Sequence, residues 1–464
     1  MPRYIKHIEA EGVLGRFDID QEFQEGVNVL FGKNGTGKTT LLHILANLLN
    51  GDYKRFAYTE FRIIKVQLSD ETNIVVSKKK VEKDSYINVT VNDGCVVENL
   101  STKEILKQDQ NREERVVSPS AYRERMVRQL QDDEDTAPIL SVAYFPAFRT
   151  MIEAWASAES RPRHPKEIQI LSTNFARELF GSFVPSLNYP SPIEIERELS
   201  EEINEAVVEV ARADREYFGE LLPSIFQVLS KDSLSTEYTL LEEGGSEAIL
   251  EEINSLVRKL EDYPLKAAPT ITQLRSSVSS FQVDEQTKRI AEQVLNIYRN
   301  ALQEVVSVQE KSFKSIETYL NSINSFLEGK TIEISLTTEP RLRRKPSVGI
   351  KFEAGTPQTI PGIRRALSSG ERQIVTLIYA ATHMSKQQIV LIDEPEISLH
   401  VDWQRHLLQK MSEQLGERQI IVCTHSPVIG ADYEDRVVIF EPTITCSSEN
   451  INNDGLVEED GEVF

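Results

Sequence analysis

Apolar and polar positions alternate in three regimes along the chain. Near the N-terminus, "YIKHIEAEGVLG" and "FDIDQEFQEGVNVLFG" read as two strands leading into a glycine turn, with Val27, Val29 and Phe31 alternating with smaller or polar partners. The run "GKTTLLHILANLLNG" then sets Leu41, Leu42, Leu45 and Leu48 on one helical face and stops at Gly51. From Phe61 to Val91, the β-branched pieces "FRIIKVQLS", "NIVVSKK" and "YINVTV" are joined by polar turns, the pattern of an antiparallel group. Charge of both signs crowds residues 108–136, which read as a mobile loop or exposed helix. The apolar strand "PILSVAYFPAFR" resumes the core, and the Pro-punctuated "ESRPRHPKE" marks a boundary.

The second regime, about 165–328, has helical periodicity. Leu199, Ile203, Val207, Val210, Tyr217 and Leu221 keep spacings compatible with one face of a helix whose outer surface is acidic. Val283 to Leu327 predicts a helix of roughly 65 to 70 Å at 1.5 Å per residue. Its apolar positions fit a seven-residue repeat, Leu295, Tyr298, Leu302 and Val305, then Ile316, Tyr319, Ile323 and Phe326, broken at Gln309 and Ser312. The repeat is short, so a packed bundle is preferred to a true coiled coil.

After Gly329 strands return in "KTIEISLTT" and "PSVGIKFEAG", followed by an apolar helix, the strand "QIVLIDEP", another helix and the strand "RQIIVCTHSP". Strands alternating with helices imply an α/β fold with a largely parallel sheet. The organisation expected is an N-terminal part of the core over 1–150, a helical insertion over 151–330, a C-terminal part of the core over 331–445 and an acidic tail over 446–464.

Composition narrows the classes. With 52 Lys+Arg against 73 Asp+Glu the net charge is −21, which opposes loose wrapping of nucleic acid or an anionic membrane, so any nucleic-acid contact needs a local basic patch. The best such patch is Arg341, Arg343, Arg344 and Lys345, with Arg364 and Arg365. A solvated hairpin is its simpler reading. The three cysteines form no CxxC pair, which suits a reducing compartment, and neither a signal peptide nor a spanning apolar run is visible. A cytoplasmic protein without a membrane partner is expected.

The chemistry concentrates in a few short runs. Gly32-Lys33-Asn34-Gly35-Thr36-Gly37-Lys38-Thr39, followed by Thr40, satisfies GxxxxGK[ST] between a predicted strand and helix. In that context glycines turn backbone N–H groups onto phosphates, Lys38 neutralises β/γ charge and the Thr39 hydroxyl is offered to Mg²⁺. The strand "IVLIDEP" delivers Asp393 and Glu394 to the carboxyl edge of the sheet. There Asp393 suits Mg²⁺, and Glu394 suits orientation or deprotonation of an attacking water. His425 ends the next buried strand, where contact with a γ-phosphate competes with a purely structural role.

Together with "LSSGE", these runs resemble the ATPase heads of the ABC superfamily, in particular its SMC, Rad50 and OLD-like branch. The resemblance implies an ABC-type head with an antiparallel β subdomain and a large helical insertion, binding ATP and Mg²⁺. It makes Glu394 and His425 catalytic. It makes Leu367, Ser368, Ser369, Gly370 and Glu371 the signature, whose Ser368 and Gly370 N–H meet the γ-phosphate held by a second copy, and Ser398, Leu399 and His400 the D-loop. Two departures are plain. The signature carries Ser369 and Glu371 where transporter subunits have Gly and Gln, and "AYFPAFR" has Ala147 at the position of the water-positioning glutamine, leaving Gln67 as a weak substitute.

Transporter subunits place a shorter segment between phosphate loop and signature, and SMC and Rad50 proteins a far longer coiled coil. The intermediate insertion here, with no nuclease constellation after His425, resembles the stand-alone OLD-like ATPases of anti-phage systems: Septu (PtuA) first, then PARIS (AriA) and retron-associated ATPases. That implies a homodimer or higher homo-oligomer that scaffolds a separately encoded HNH or TOPRIM nuclease. The alternative is a Rad50-like enzyme acting on DNA ends directly.

Overall fold

In the computed structural model the strand-rich stretches sort into three sheets. Described residues are 3–81, 84–92, 95–113, 138–152, 165–230, 246–261, 288–337, 345–353, 360–363, 366–382, 384–385 and 387–444. The acidic tail, Arg341, Arg343, Arg344, Arg364, Arg365 and most of 108–136 lie outside them, as does the Lys345 side chain. Two compact units are present, one comprising Met1–Tyr189 with Lys386–Phe464 and the other Pro190–Ser385.

In the first unit, β1 (Ile5–Val13), β2 (Phe17–Glu22), β4 (Ile63–Leu68), β5 (Asn73–Val81), β6 (Asp84–Val91) and β7 (Cys95–Ser101) form an antiparallel sheet in the order β2-β1-β4-β5-β6-β7, with the short β15 (Thr443–Ile444) beside β2. This is the predicted antiparallel group, enlarged by the N-terminal strands. The stretch read from sequence as one second strand divides into β2 and β3 (Val27–Phe31), which belong to different sheets, with Gly26 at φ 80° between them.

The second sheet of this unit is wholly parallel, in the order β14 (Val437–Ile439), β3, β13 (Gln419–Thr424), β12 (Ile389–Asp393) and β8 (Val142–Phe145). Its three central strands are buried from end to end apart from the last residue of β3, as a parallel sheet covered on both faces requires. The alternation expected of Val27, Val29 and Phe31 is overridden for the same reason: Asn28 and Leu30 are also buried. Helix α1 (Lys38–Leu49) is buried nearly all round rather than along a single face, with Ile44, Ala46 and Leu49 inside alongside the four leucines. The unit also holds α2 (Thr102–Glu113) and α3 (Pro165–Phe180), whose Ala176 joins the same core as Val184 and Leu187.

The second unit is a helical bundle with a small sheet. It contains α4 (Pro192–Gly219), α5 (Leu221–Ser230), α6 (Ser246–Glu261), α7 (Lys288–Asn324), the sheet β9 (Lys330–Thr337), β10 (Lys345–Phe352) and β11 (Ile360–Pro361), and α8 (Ser369–Ala381). A capping box at Ser191 and Glu194 with Pro192 in the first turn starts α4, and Ile195, Leu199, Ile203, Ala206 and Ala213 form its buried stripe. Leu295, Tyr298, Leu302 and Val305 of α7 pack on Ile249, Ile253, Val257 and Leu260 of α6, so the heptad-like spacing serves a bundle core. Gln309, which broke the repeat, is itself buried, and the Ser312 hydroxyl donates to Glu209 of α4. Buried Tyr319 of α7 donates to the carbonyl of Val375 in α8 at 3.0 Å, and Tyr379 of α8 donates to Glu198 of α4 at 2.7 Å. The helices α4 to α7 and α8 thus share one unit with β9 to β11. From Lys386 the chain is back in the first unit, where α9 (Val401–Leu415) connects β12 to β13.

Candidate active site

The parallel register brings four strand ends to one edge. Asp393 of β12 lies opposite Cys423 of β13, Thr424 opposite Phe31 of β3, and Ile392 opposite Phe145 of β8. The chain leaving each end carries a different group: the phosphate loop after β3, the acid pair at β12, His425 after β13, and Arg149 after β8.

Between Phe31 and α1 the backbone turns through Gly35 at φ 79° and Gly37 at φ 93°, values that disfavour any residue with a Cβ. At Gly32 a Cβ would be tight, 3.0 Å from the Phe440 carbonyl oxygen, so the backbone there would have to give. Lys33, Asn34 and Gly35 are exposed, and Thr36 donates to the Lys33 carbonyl at 2.9 Å. The buried Lys38 ammonium folds back to donate to the carbonyls of Gly32 at 2.5 Å and Lys33 at 2.9 Å, leaving Thr39 and Thr40 in the first helical turn.

Thr39 donates through its hydroxyl to Asp393 Oδ2 at 2.8 Å. The other oxygen, Oδ1, is buried without a hydrogen-bond partner. Burial is the main cause that pushes the Asp393 carboxyl up to about 6; Glu394 adds to it, while Thr39, Lys38 and Arg149 oppose it. Glu394 sits in the left-handed region at φ 45°, its N–H donating to the Cys423 carbonyl at 2.8 Å and its carboxylate 3.4 Å from His425 Nδ1.

A third acid, unmarked in the sequence reading, organises the histidine. Buried Glu396 accepts through Oε1 from the Thr424 hydroxyl at 2.7 Å and from the N–H groups of His425 and Ser426 at 3.1 Å each, and lies 3.2 Å from His425 Nδ1. The imidazole, about half exposed, is steered through Nδ1 and keeps Nε2 for another partner.

The run Leu367 to Glu371, expected as the signature, lies in the second unit. Ser368 is the N-cap of α8: its hydroxyl accepts from the Glu371 N–H at 3.4 Å, and Glu371 accepts in return from the Ser368 N–H at 2.7 Å. Glu371 also takes the Lys330 ammonium at 2.9 Å, which donates as well to the Ala366 carbonyl. This explains Glu371 in place of glutamine. Leu367, Gly370 and Glu371 are buried, whereas Ser368 and Ser369 are exposed at the helix start. In the segment expected as the D-loop, Ser398 is exposed at φ 67°, Leu399 is buried, and His400 caps α9.

The model of the AAA ATPase domain family matches residues 17–429, most of the chain. The chain belongs to that family. Among curated relatives of this AAA ATPase, the retron Ec83 probable ATPase of Escherichia coli is 24% identical over 168 residues, 34% of this chain and 29% of the relative, so the match spans under a third of that protein. Among solved structures, the Smc head domain of Pyrococcus furiosus with an extended coiled coil, bound to the C-terminal domain of ScpA, is 14% identical with a TM-score of 0.38, covering 93% and 92% of the two chains. The recombination mediator RecF bound to ATPγS is 13% identical with a TM-score of 0.31, covering 95% and 98%.

At the edge where Thr39 meets Asp393, the donor set suits Mg²⁺. A threonine hydroxyl and the unpartnered, buried Asp393 Oδ1 are hard oxygen donors side by side. Among the described residues no group of three or more His, Cys, Asp or Glu forms a metal site of its own, and no helix is long and apolar enough to cross a membrane. Gln67, the weak substitute for the missing glutamine, lies on β4 and donates to Glu71 at 2.9 Å in its own hairpin. Ala147 is half-buried, and two residues later the chain supplies Arg149. Neither Arg149 nor Glu396 was legible as a site residue. The available hints were an arginine closing an apolar strand and a third acid directly after the proline of "DEPE".

Proposed function

We propose that this chain is a Mg²⁺-dependent ATPase that closes as a homodimer or higher homo-oligomer around ATP and so scaffolds and regulates a separately encoded nuclease in anti-phage defence. The observation that carries the catalytic reading is the array in which Thr39 and Asp393 are bonded while Glu394 and His425 stand within 3.4 Å. Gly32 to Thr40 wrap the phosphates, and Lys38 exchanges its bonds to the loop carbonyls for the β/γ-phosphate oxygens. Bound Mg²⁺, held by Thr39 and Asp393, supplies charge neutralisation. Glu394 orients the attacking water and takes its proton, and His425 offers Nε2 to the γ-phosphate.

Completion in trans rests on the signature. The Ser368 hydroxyl accepts from Glu371 as a cap, so its own hydrogen remains free to donate to a phosphate oxygen. The N-terminus of α8 adds positive potential beside it. The defence role is supported by the similarity to the retron Ec83 probable ATPase and by the helical unit that carries the signature.

Phosphate release from ATP and MgCl₂ tests the catalytic part. The wild-type chain turns over, whereas Lys38→Ala and Glu394→Gln do not, and Lys38→Ala also loses nucleotide binding. Hydrolysis unchanged in Glu394→Gln would remove the assigned base. Co-purification with the product of the adjacent reading frame tests the effector part, an HNH or TOPRIM nuclease being the expected partner.

A further inference from the structure

Arg149 is among the largest side chains fully enclosed in the molecule, at 2% exposure. Both terminal nitrogens of its guanidinium donate to backbone carbonyls. One terminal nitrogen donates to the carbonyls of Pro146, Asp393 and Glu394 at 3.2 Å each, and the other donates to Pro395 at 2.9 Å and Ile397 at 3.3 Å. Four of the five acceptors lie in the turn that carries the acid pair, and the fifth closes the end of β8, the strand paired with β12. The turn is one the chain would not choose unaided, with Glu394 at φ 45° and Ser398 at φ 67°. Carbonyls gathered on one guanidinium fix the peptide planes, and with them where the carboxylates of Glu394 and Glu396 stand relative to His425.

We infer that Arg149 is a positioning residue for ATP hydrolysis: the guanidinium pins the Asp393–Ile397 backbone so that Glu394 is held at the water it activates. The inference rests on the catalytic reading of Glu394 above. A planar fork with several donors is needed, because the acceptors converge from successive peptide units. A lysine ammonium at this position has at most three hydrogens and no planar fork to match them. Arg149 thus lies two residues after Ala147, where the family resemblance implies a water-positioning glutamine, but it acts through the base, by way of the backbone, and not on the water.

The test compares wild-type chain, Arg149→Lys and Glu394→Gln, with turnover normalised to the number of sites that bind a fluorescent ATP analogue. The expected result for Arg149→Lys is retained nucleotide affinity and a turnover per occupied site lower by about 100-fold, the scale of a misplacement near 1 Å. A merely destabilising substitution lowers the number of sites and leaves turnover per site intact, and that outcome overturns the inference. If wild type hydrolyses no faster than Glu394→Gln, the catalytic reading itself fails and the inference falls with it. Should the lysine variant not fold, arginine-selective ¹⁵N spectra of the wild type decide. A set of slowly exchanging guanidinium protons lost on adding Arg149→Gln supports the pin, and freely exchanging, rotationally averaged signals from every arginine overturn it.

Discussion

Thr39 and Asp393, separated by 354 residues of sequence, are joined by a 2.8 Å hydrogen bond that ties the first turn of α1 to the end of β12. The bond leaves Asp393 Oδ1 buried and unpartnered, with the carboxyl pushed up to about 6 mainly by burial. Against an ordinary value of 3.8, that places a cost of about 3 kcal/mol on the ionised form in the folded state. The cost is absent below the unfolded value and complete above about 6. Asp393→Asn is therefore expected to raise the melting temperature of the nucleotide-free protein at pH 8 and to leave it unchanged near pH 4, while abolishing the further stabilisation given by ATP with MgCl₂. Thermal melts at the two pH values, with and without nucleotide, check both halves.

Glu396 gathers three donors and the His425 ring onto one carboxylate. Glu396→Gln keeps an acceptor oxygen and should cost little stability while slowing turnover, because the anion facing Nδ1 is lost. Glu396→Ala leaves buried donors without an acceptor and should cost about 3 kcal/mol. Denaturant unfolding of the two variants, beside phosphate release, separates the effects. Equal loss of stability in both would show that the carboxylate's charge, and not its acceptor geometry, holds the loop.

The Ser368–Glu371 cap carries its own pH dependence. Burial alone would raise the Glu371 carboxyl, but Lys330 and Ser368 outweigh it and hold the group below its ordinary value. A depressed carboxyl contributes stability that is present above the unfolded value and lost as pH falls through the folded one. Glu371→Ala should thus cost about 1 to 2 kcal/mol at pH 7, from the cap and the ion pair together, and close to nothing in acid. Urea unfolding across pH reads the convergence.

Residues whose neighbours in sequence dictate their chemistry were legible before the structure. The phosphate loop needs only its own glycines, Lys38 and Thr39. The buried run before Asp393 and Glu394 marks a parallel strand, and His425 closes another. Long-range packing hid the rest. Val27 to Phe31 read as an alternating strand because nothing local reveals that β13 and β14 flank them in a sheet covered on both faces. The heptad-like spacing of α7 does not say whether its partner is a second copy or α6. Arg149 looks like a surface residue at a strand end until the turn that accepts its bonds, from Asp393 to Ile397, is folded over it. Ser368 and Glu371 also fit S-x-x-E, the local pattern of the capping box they form.

Completion of each nucleotide site by a second copy is most directly tested by the molar mass of Glu394→Gln in solution, measured by light scattering with and without ATP and MgCl₂. The account predicts at least a doubling of mass on adding ATP, absent with ADP and abolished by Ser368→Arg. A mass that is the same with and without ATP, in a protein shown to bind the nucleotide, would contradict it.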